Sequence, residues 1–107
     1  MTDETVTLRA SVIELLDEDD VGVYEVWWLA NSQSPDLPLS TRLATAEDVV
    51  TDLVTTGTAH LAASPWPVRP NQGTGQPVKD LGSALRSWDT WVLGSKPVVW
   101  LVRNESE

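Results

Sequence analysis

The only histidine of the chain, His60, is the natural candidate for acid–base chemistry. Catalysis by such a group needs a nucleophile or a second base close by, and the residues around His60 supply neither. In an alternating strand it would point away from the side of Ala59 and Leu61, so we expect a solvent-facing histidine. The chain also lacks cysteine, which excludes thiolate chemistry. The sequence therefore predicts no catalytic residues and a protein that is not an enzyme.

Four consecutive carboxylates could instead do metal chemistry, and we call them the acidic run: Asp17, Glu18, Asp19 and Asp20. Their spacing resembles the start of a calcium loop. However, Val21 and Trp28 stand where that loop needs an oxygen donor and a bidentate glutamate. Gly73-Thr74-Gly75 lacks the lysine of a phosphate loop and is interpreted as a turn. We therefore predict no metal and no cofactor, and interpret the acidic run as a solvated helix entry, with a docking patch as its functional alternative.

The aromatic residues are the third chemical feature, because the chain has six tryptophans, one tyrosine and no phenylalanine. We expect Trp27, Trp88 and Trp100 to supply core bulk. Trp28 directly follows Trp27, and two adjacent indoles are rarely both buried, so Trp28 is predicted to reach the surface. Trp66 stands between two prolines in a loop and is predicted to be an exposed anchor, although a loop folded back into the core fits equally well.

Charge limits the class of partner. The chain has 16 acidic and 7 basic residues, a net charge of −9 and a pI near 4.3. Residues 1–52 hold 12 acids against Arg9 and Arg42, a net charge of −10, whereas residues 53–103 carry five basic and two acidic residues, a net charge of +3. Such a surface repels nucleic acid and anionic membranes, so the expected partner is a protein with a basic surface.

The cellular location is inferred from the lack of a secretory signal and of a membrane-spanning segment in the sequence. The N-terminus is acidic and has no apolar segment of a secretory signal. No apolar stretch approaches the ~20 residues of a membrane span. We therefore expect a cytoplasmic protein without a membrane partner.

The hydrophobic periodicity predicts the elements that must position these residues. Residues 5–16 alternate partly like a strand, but their paired apolar residues favour a helix. A second helix is predicted at about 21–30, entered through Asp19 or Asp20 as its cap, with a strand as the alternative. The clearest helix covers 40–56, where Ser40 can cap the start and Gly57 ends it.

The second half of the chain is less regular. The further predicted elements are a strand at 58–63, a flexible loop rich in proline and glycine at 64–77, a helix at about 79–91, a strand at 98–102 and a polar tail at 104–107. Together they predict a single α+β domain over 1–107 with a winged-helix-like organisation. It has three N-terminal helices, a two-stranded antiparallel sheet made by 58–63 and 98–103, and an extra helix inserted before the last strand.

The chain resembles small actinobacterial proteins of unassigned function that carry a stretch like LLDEDDVGVYEVWWLAN followed by an amphipathic helix ending in glycine. The resemblance covers residues 8–63 and implies a fold more than a function. In a winged-helix domain, helix 40–56 would occupy the position that reads DNA, but its charge is net negative.

We therefore predict a non-enzymatic protein-interaction module: a regulator, an adaptor or an acidic inhibitor of the immunity or antitoxin kind. The partner-binding residues are predicted to be the acidic run, Trp28 and Trp66. A homodimer through an exposed tryptophan face is compatible with this function. The alternative is a winged-helix DNA-binding transcriptional regulator.

Overall fold

The chain folds as an α+β protein. A computed structural model describes residues 2–72, 75–93 and 97–104. The helices are α1 (Asp3–Glu18), α2 (Val23–Gln33), α3 (Leu39–Thr55), α4 (Leu81–Arg86) and α5 (Trp88–Trp91). The strands are β1 (Val21–Gly22), β2 (Ala59–Ser64), β3 (Gln76–Pro77) and β4 (Val98–Arg103). Within these residues the four strands form one antiparallel sheet in the order β1-β4-β2-β3.

Helix α1 confirms the helical interpretation of residues 5–16. The Thr2 hydroxyl caps it by accepting a hydrogen bond from the Thr5 amide at 3.2 Å. Leu8, Val12 and Leu16 are buried along one stripe, which is the period of a helix and not of a strand. The helix continues to Glu18, two residues beyond its predicted end, so the acidic run begins inside its last turn.

Both interpretations of residues 21–30 were partly right. Val21 and Gly22 form the short edge strand β1, which pairs with Leu101 and Trp100 of β4. Helix α2 then begins at Val23 with Gly22 as its N-cap, so the predicted cap at Asp19 or Asp20 was wrong. The reason is tertiary, because the chain completes the sheet before it can turn into the helix.

Helix α3 and strand β2 confirm the clearest local signals. α3 buries Ala46, Val49, Val50 and Leu53, and the chain leaves it through Gly57 at a φ of 78°. That left-handed conformation is one that residues other than glycine adopt only at a cost. The predicted cap at Ser40 was wrong, since Pro38 occupies the N-cap and Ser40 lies within the first turn.

The sheet is larger than the predicted pair of strands. β2 and β4 pair as expected, from Ala59 opposite Arg103 to Ser64 opposite Val98. β1 and β3 extend this pair at its two edges, and β3 falls within the stretch predicted as a loop at 64–77. Residues 73–74 of that stretch and residues 105–107 of the polar tail lie outside the described part of the chain.

The single helix predicted at 79–91 was wrong, because two short helices occupy this segment. The chain breaks at Ser87, whose backbone is extended with a ψ of 121°. The break lets the Trp91 indole turn inward and donate a hydrogen bond to the Leu85 carbonyl at 2.9 Å. Trp88 is left 51% exposed and packs edge-on against Trp27, so its predicted burial was wrong as well.

The sheet separates two apolar clusters of unequal size. The larger lies between the helices and one sheet face and includes Trp27, Trp91 and Leu101. The smaller consists of Tyr24, Val98 and Trp100, with Val102 packed against it. Burial of Trp27 and Trp100 is therefore confirmed. Over the described ranges, no helix has the length and apolar character needed to cross a membrane.

Candidate interaction surface

Tyr24 is the centre of the smaller cluster. It stands in the first turn of α2, is only 4% exposed and packs with Val98 and Trp100. Its ring crosses Gly22 so closely that a Cβ atom at Gly22 would lie 2.3 Å from Tyr24 Cε1. The glycine in β1 therefore makes room for the tyrosine.

The two predicted anchors, Trp28 and Trp66, meet at this tyrosine. Trp28 lies one helical turn after Tyr24, with ring centroids 4.8 Å apart and planes at 75°. The Trp66 indole lies close enough to the Tyr24 hydroxyl to lower the pKa of this tyrosine as a hydrogen-bond donor. Trp28 is 55% exposed and Trp66 is 54% exposed, so neither plugs the core. We call these three residues the aromatic surface: Tyr24, Trp28 and Trp66.

A carboxylate lies at the edge of the aromatic surface. The Tyr24 hydroxyl is 3.4 Å from Glu25 Oε1 and donates to it. Burial, followed by the nearby negative charge of Glu25, raises the pKa of Tyr24 above its ordinary value, while the Trp66 hydrogen bond and the Arg69 charge oppose the rise. In the part of the chain that the structure describes, no basic side chain forms a salt bridge with Glu25.

Arg69 connects the aromatic surface to the acidic run. Its guanidinium carbon lies 5.5 Å from the ring centre of Trp100, whose ring is in turn 6.2 Å from that of Tyr24. Its Nε is 3.3 Å from a carboxylate oxygen of Asp19 and donates a 3.4 Å hydrogen bond to the carbonyl of Asp20. An arginine of the chain is therefore held by a tryptophan face and an acidic residue together.

The members of the acidic run differ in their surroundings. Asp17 accepts a hydrogen bond from Arg103 at 2.6 Å, and both side chains are more than half exposed. Asp20 is only 7% exposed and accepts the Asn71 amide at 2.9 Å, so the expectation of a wholly solvated run was wrong for this residue. Glu18 is exposed and has no hydrogen bond or salt bridge within the described residues.

The contrast in charge between the two halves of the sequence is reduced where the halves contact each other. Arg69 and Arg103, which contribute to the positive second half, fold onto the acidic run of the first half. Arg9 pairs with Asp52 within the first half at 2.5 Å. The two halves of the sequence therefore interleave at the contacts of Arg69 and Arg103.

The remaining sequence candidates lie apart from the aromatic surface. His60 is exposed, as predicted, and its Nδ1 is 2.5 Å from Asn104 Oδ1. Gly73 and Thr74 of the predicted turn are outside the described residues. Across the ranges that are described, no group of three or more histidines and carboxylates could hold a metal ion.

Comparison of the chain with protein-family models, curated proteins and solved structures finds no match. The resemblance to small actinobacterial proteins stays a prediction. Sequence reasoning selected Trp28 and Trp66 but missed Tyr24, Glu25 and Arg69. The spacing of Tyr24 and Trp28 by four residues was the one signal that could have joined two of them.

Proposed function

We propose that the protein is a non-enzymatic, cytoplasmic protein-interaction module that binds a partner with a basic surface. The observation that supports this most is the position of Trp28 and Trp66 beside Tyr24, which Trp100 and Arg69 connect to the acidic run. Exposed indoles of this kind are typical anchors of protein interfaces, because they bury a large area at little cost in side-chain entropy. A regulator, an adaptor and an acidic inhibitor of the immunity or antitoxin kind all fit this description.

The internal salt bridges of the acidic run are compatible with partner binding. Asp17 and Arg103 are 55% and 56% exposed, and pairs this open contribute only about 0–1 kcal/mol in water. A basic partner can therefore exchange for Arg103 at small cost, and Glu18 is available beside it. Asp19 is paired with Arg69 and Asp20 accepts from Asn71, so Asp17 and Glu18 are the residues of the acidic run that are open to a partner.

Capture of the partner from a native cytoplasmic extract tests the proposal. The tagged protein is compared with a double variant, Asp17→Lys with Glu18→Lys, across a series of salt concentrations. The matched control, Asp36→Lys with Asp48→Lys, changes the net charge equally at two other exposed positions. We expect weaker, more salt-sensitive capture for the first variant only. If the acidic-run variant and the control variant capture the partner equally, the acidic run is not part of the interface.

A DNA-binding winged helix is the second candidate, and the arrangement of elements favours it. Three helices precede β2, and β4 lies between β1 and β2, which is the organisation we propose to be winged-helix-like. In that arrangement α3 would be the reading helix. Its only basic residue, Arg42, is half-buried and donates to Asn31 at 2.7 Å, whereas Asp48 is exposed. Phosphate contacts need several exposed basic residues, so protein binding is the better supported function.

Two solution measurements separate these alternatives. An electrophoretic shift with random duplex DNA at low salt is expected to show no complex, and a clear shift would favour the DNA-binding candidate. Light scattering tests a homodimer through the exposed tryptophans. A monomer at high concentration would leave the aromatic surface free for another protein.

A further inference from the structure

We propose that the aromatic surface, together with Glu25, is a binding site for an arginine side chain of a protein partner. The inference rests on the proposed function and adds to it the location and the chemistry of the contact. Trp28 and Trp66 supply the exposed rings, the buried Tyr24 lies beside them, and Glu25 supplies the negative charge.

Trp28 and Trp66 are exposed, although tryptophan is a large apolar residue that the chain buries elsewhere. Three other tryptophans of the chain, at positions 27, 91 and 100, are buried. Trp28 and Trp66 each leave more than half of their surface in water, although both touch the same buried tyrosine. Each indole therefore lies beside a buried ring and is still more than half open to solvent. A ligand would therefore meet aromatic groups that are already oriented, which lowers the entropy cost of binding.

The negative charge of Glu25 beside the exposed rings indicates a cationic ligand. Glu25 is half-buried, accepts from the Tyr24 hydroxyl and has no basic side chain paired with it among the described residues. A cation placed on the neighbouring rings would gain from the ring quadrupoles and from this carboxylate together. A second copy of the chain is a poor occupant, because two molecules of net charge −9 repel each other. Nucleic acid is disfavoured for the same reason.

Within the protein, Arg69 is bound in the way that we propose for the partner's arginine, by a tryptophan ring and a carboxylate. Its guanidinium lies over the Trp100 ring and is paired with Asp19. Arginine is better suited than lysine to such a place, since its planar and weakly hydrated head stacks on an aromatic face while its N–H groups reach a carboxylate. The site at Tyr24, Trp28, Trp66 and Glu25 offers the same pair of groups to an arginine from outside.

The test is a titration of the ¹⁵N-labelled full-length protein with a capped hexaarginine peptide at low salt, observed through the six tryptophan indole N–H signals. We expect the signals of Trp28 and Trp66 to shift and saturate. A peptide of six citrullines, which is uncharged and nearly the same shape, is expected to shift neither. Hexalysine is expected to bind more weakly than hexaarginine.

Variants locate the site. Trp28→Ala, Trp66→Ala and Glu25→Gln are each expected to weaken hexaarginine binding about two- to five-fold, the effect of one exposed cation–π or ionic contact. The matched controls are Trp88→Ala, which removes an indole that is 51% exposed elsewhere, and Glu14→Gln, which removes an exposed carboxylate from α1. Both controls are expected to bind like the unmodified protein.

Three results would overturn the proposal: no binding, equal losses in the control variants, or stronger shifts with a hexathymidylate than with hexaarginine. These failures are distinguishable from failure of the proposed function. If reversal of Asp17 and Glu18 abolishes partner capture while hexaarginine leaves both indoles unmoved, the function stands and the arginine site does not. If the indoles respond and capture survives the reversal, the site stands and the role of the acidic run is lost.

Discussion

Replacement of Gly22 by alanine tests whether this glycine positions the aromatic surface. An added Cβ would lie 2.3 Å from Tyr24 Cε1 and 2.7 Å from Tyr24 Cδ1. Carbon atoms in contact normally stand about 3.5–4.0 Å apart, so the ring must move by about 1 Å. That movement is resisted because Tyr24 is 4% exposed and packs edge-on against Trp28 and Trp100.

The expected loss of stability combines two opposing effects. Insertion of a methyl group into a packed site costs about 1–3 kcal/mol. The backbone at Gly22 has a φ of −64°, which alanine adopts freely, so reduced freedom of the unfolded chain returns about 0.4–1 kcal/mol. We therefore expect Gly22→Ala to lower the free energy of unfolding by about 1–2 kcal/mol. The corresponding fall in Tm is roughly 5–10 °C for a domain of this size.

Urea unfolding followed by far-UV circular dichroism measures the change. The matched control is Gly82→Ala in α4, where the nearest atoms to an added Cβ are Arg86 Nη2 at 3.6 Å and Asp80 Oδ1 at 3.7 Å. These are ordinary contacts, and alanine is the better helix former, so this variant is expected to gain about 0.5–1 kcal/mol.

A double-mutant cycle with Tyr24→Ala decides whether the tyrosine ring is the cause. Once the ring is absent, Gly22→Ala is expected to be neutral or slightly stabilising, so the two changes should be strongly coupled. An equal loss with and without the ring would refute the reasoning, because the methyl group would then be clashing with something other than Tyr24.

Three further predictions concern other groups. Gly57→Ala should lower the free energy of unfolding by about 1–2 kcal/mol in urea titrations, since Gly57 has a φ of 78°; an unchanged midpoint would contradict a left-handed turn there. The single tyrosine, Tyr24, should titrate above its ordinary pKa of 10.0 when followed by ultraviolet absorbance, and Glu25→Gln should lower that pKa. Because the pKa is raised in the folded state, the contribution of Tyr24 to the free energy of unfolding is present below pH 10 and is lost as the pH rises through the folded-state pKa. The pKa of Asp80 should lie below 3.8 when measured by carboxyl ¹³C NMR, because the Ser83 backbone N–H and the Ser83 hydroxyl donate to the carboxylate. The contribution of Asp80 to the free energy of unfolding is present above pH 3.8 and is lost as the pH falls through the lowered pKa. Asp80→Ala should speed amide hydrogen exchange at Ser83.

Part of the candidate site was predictable and part was not. Trp28 was predicted to be exposed because it follows Trp27, and adjacent side chains on a helix point about 100° apart. That Trp28 and Trp66 meet on Tyr24 could not be read from the chain, since Trp66 is 42 positions from Tyr24 in sequence. The burial of Trp91 and the exposure of Trp88 depended on a break at Ser87 that no proline or glycine marks.

The sequence alone determined the features that depend on neighbouring residues. The stripes of α1 and α3, the left-handed turn at Gly57 and the apolar strand β4 all arise from local periodicity and backbone preference, and they appear where expected. The exposed histidine belongs to the same group, since alternation along a strand sets its side.

Only the tertiary structure decided the charge pattern and the shape of the aromatic surface. Arg103 reaches Asp17 across 86 positions, and Arg69 reaches the carbonyl of Asp20 across 49. Such contacts depend on which elements pack together, because an ion pair imposes no spacing on the sequence. The acidic run and the two exposed anchors, Trp28 and Trp66, are separate features of the sequence. They are connected only in the folded chain, through Tyr24, Trp100 and Arg69.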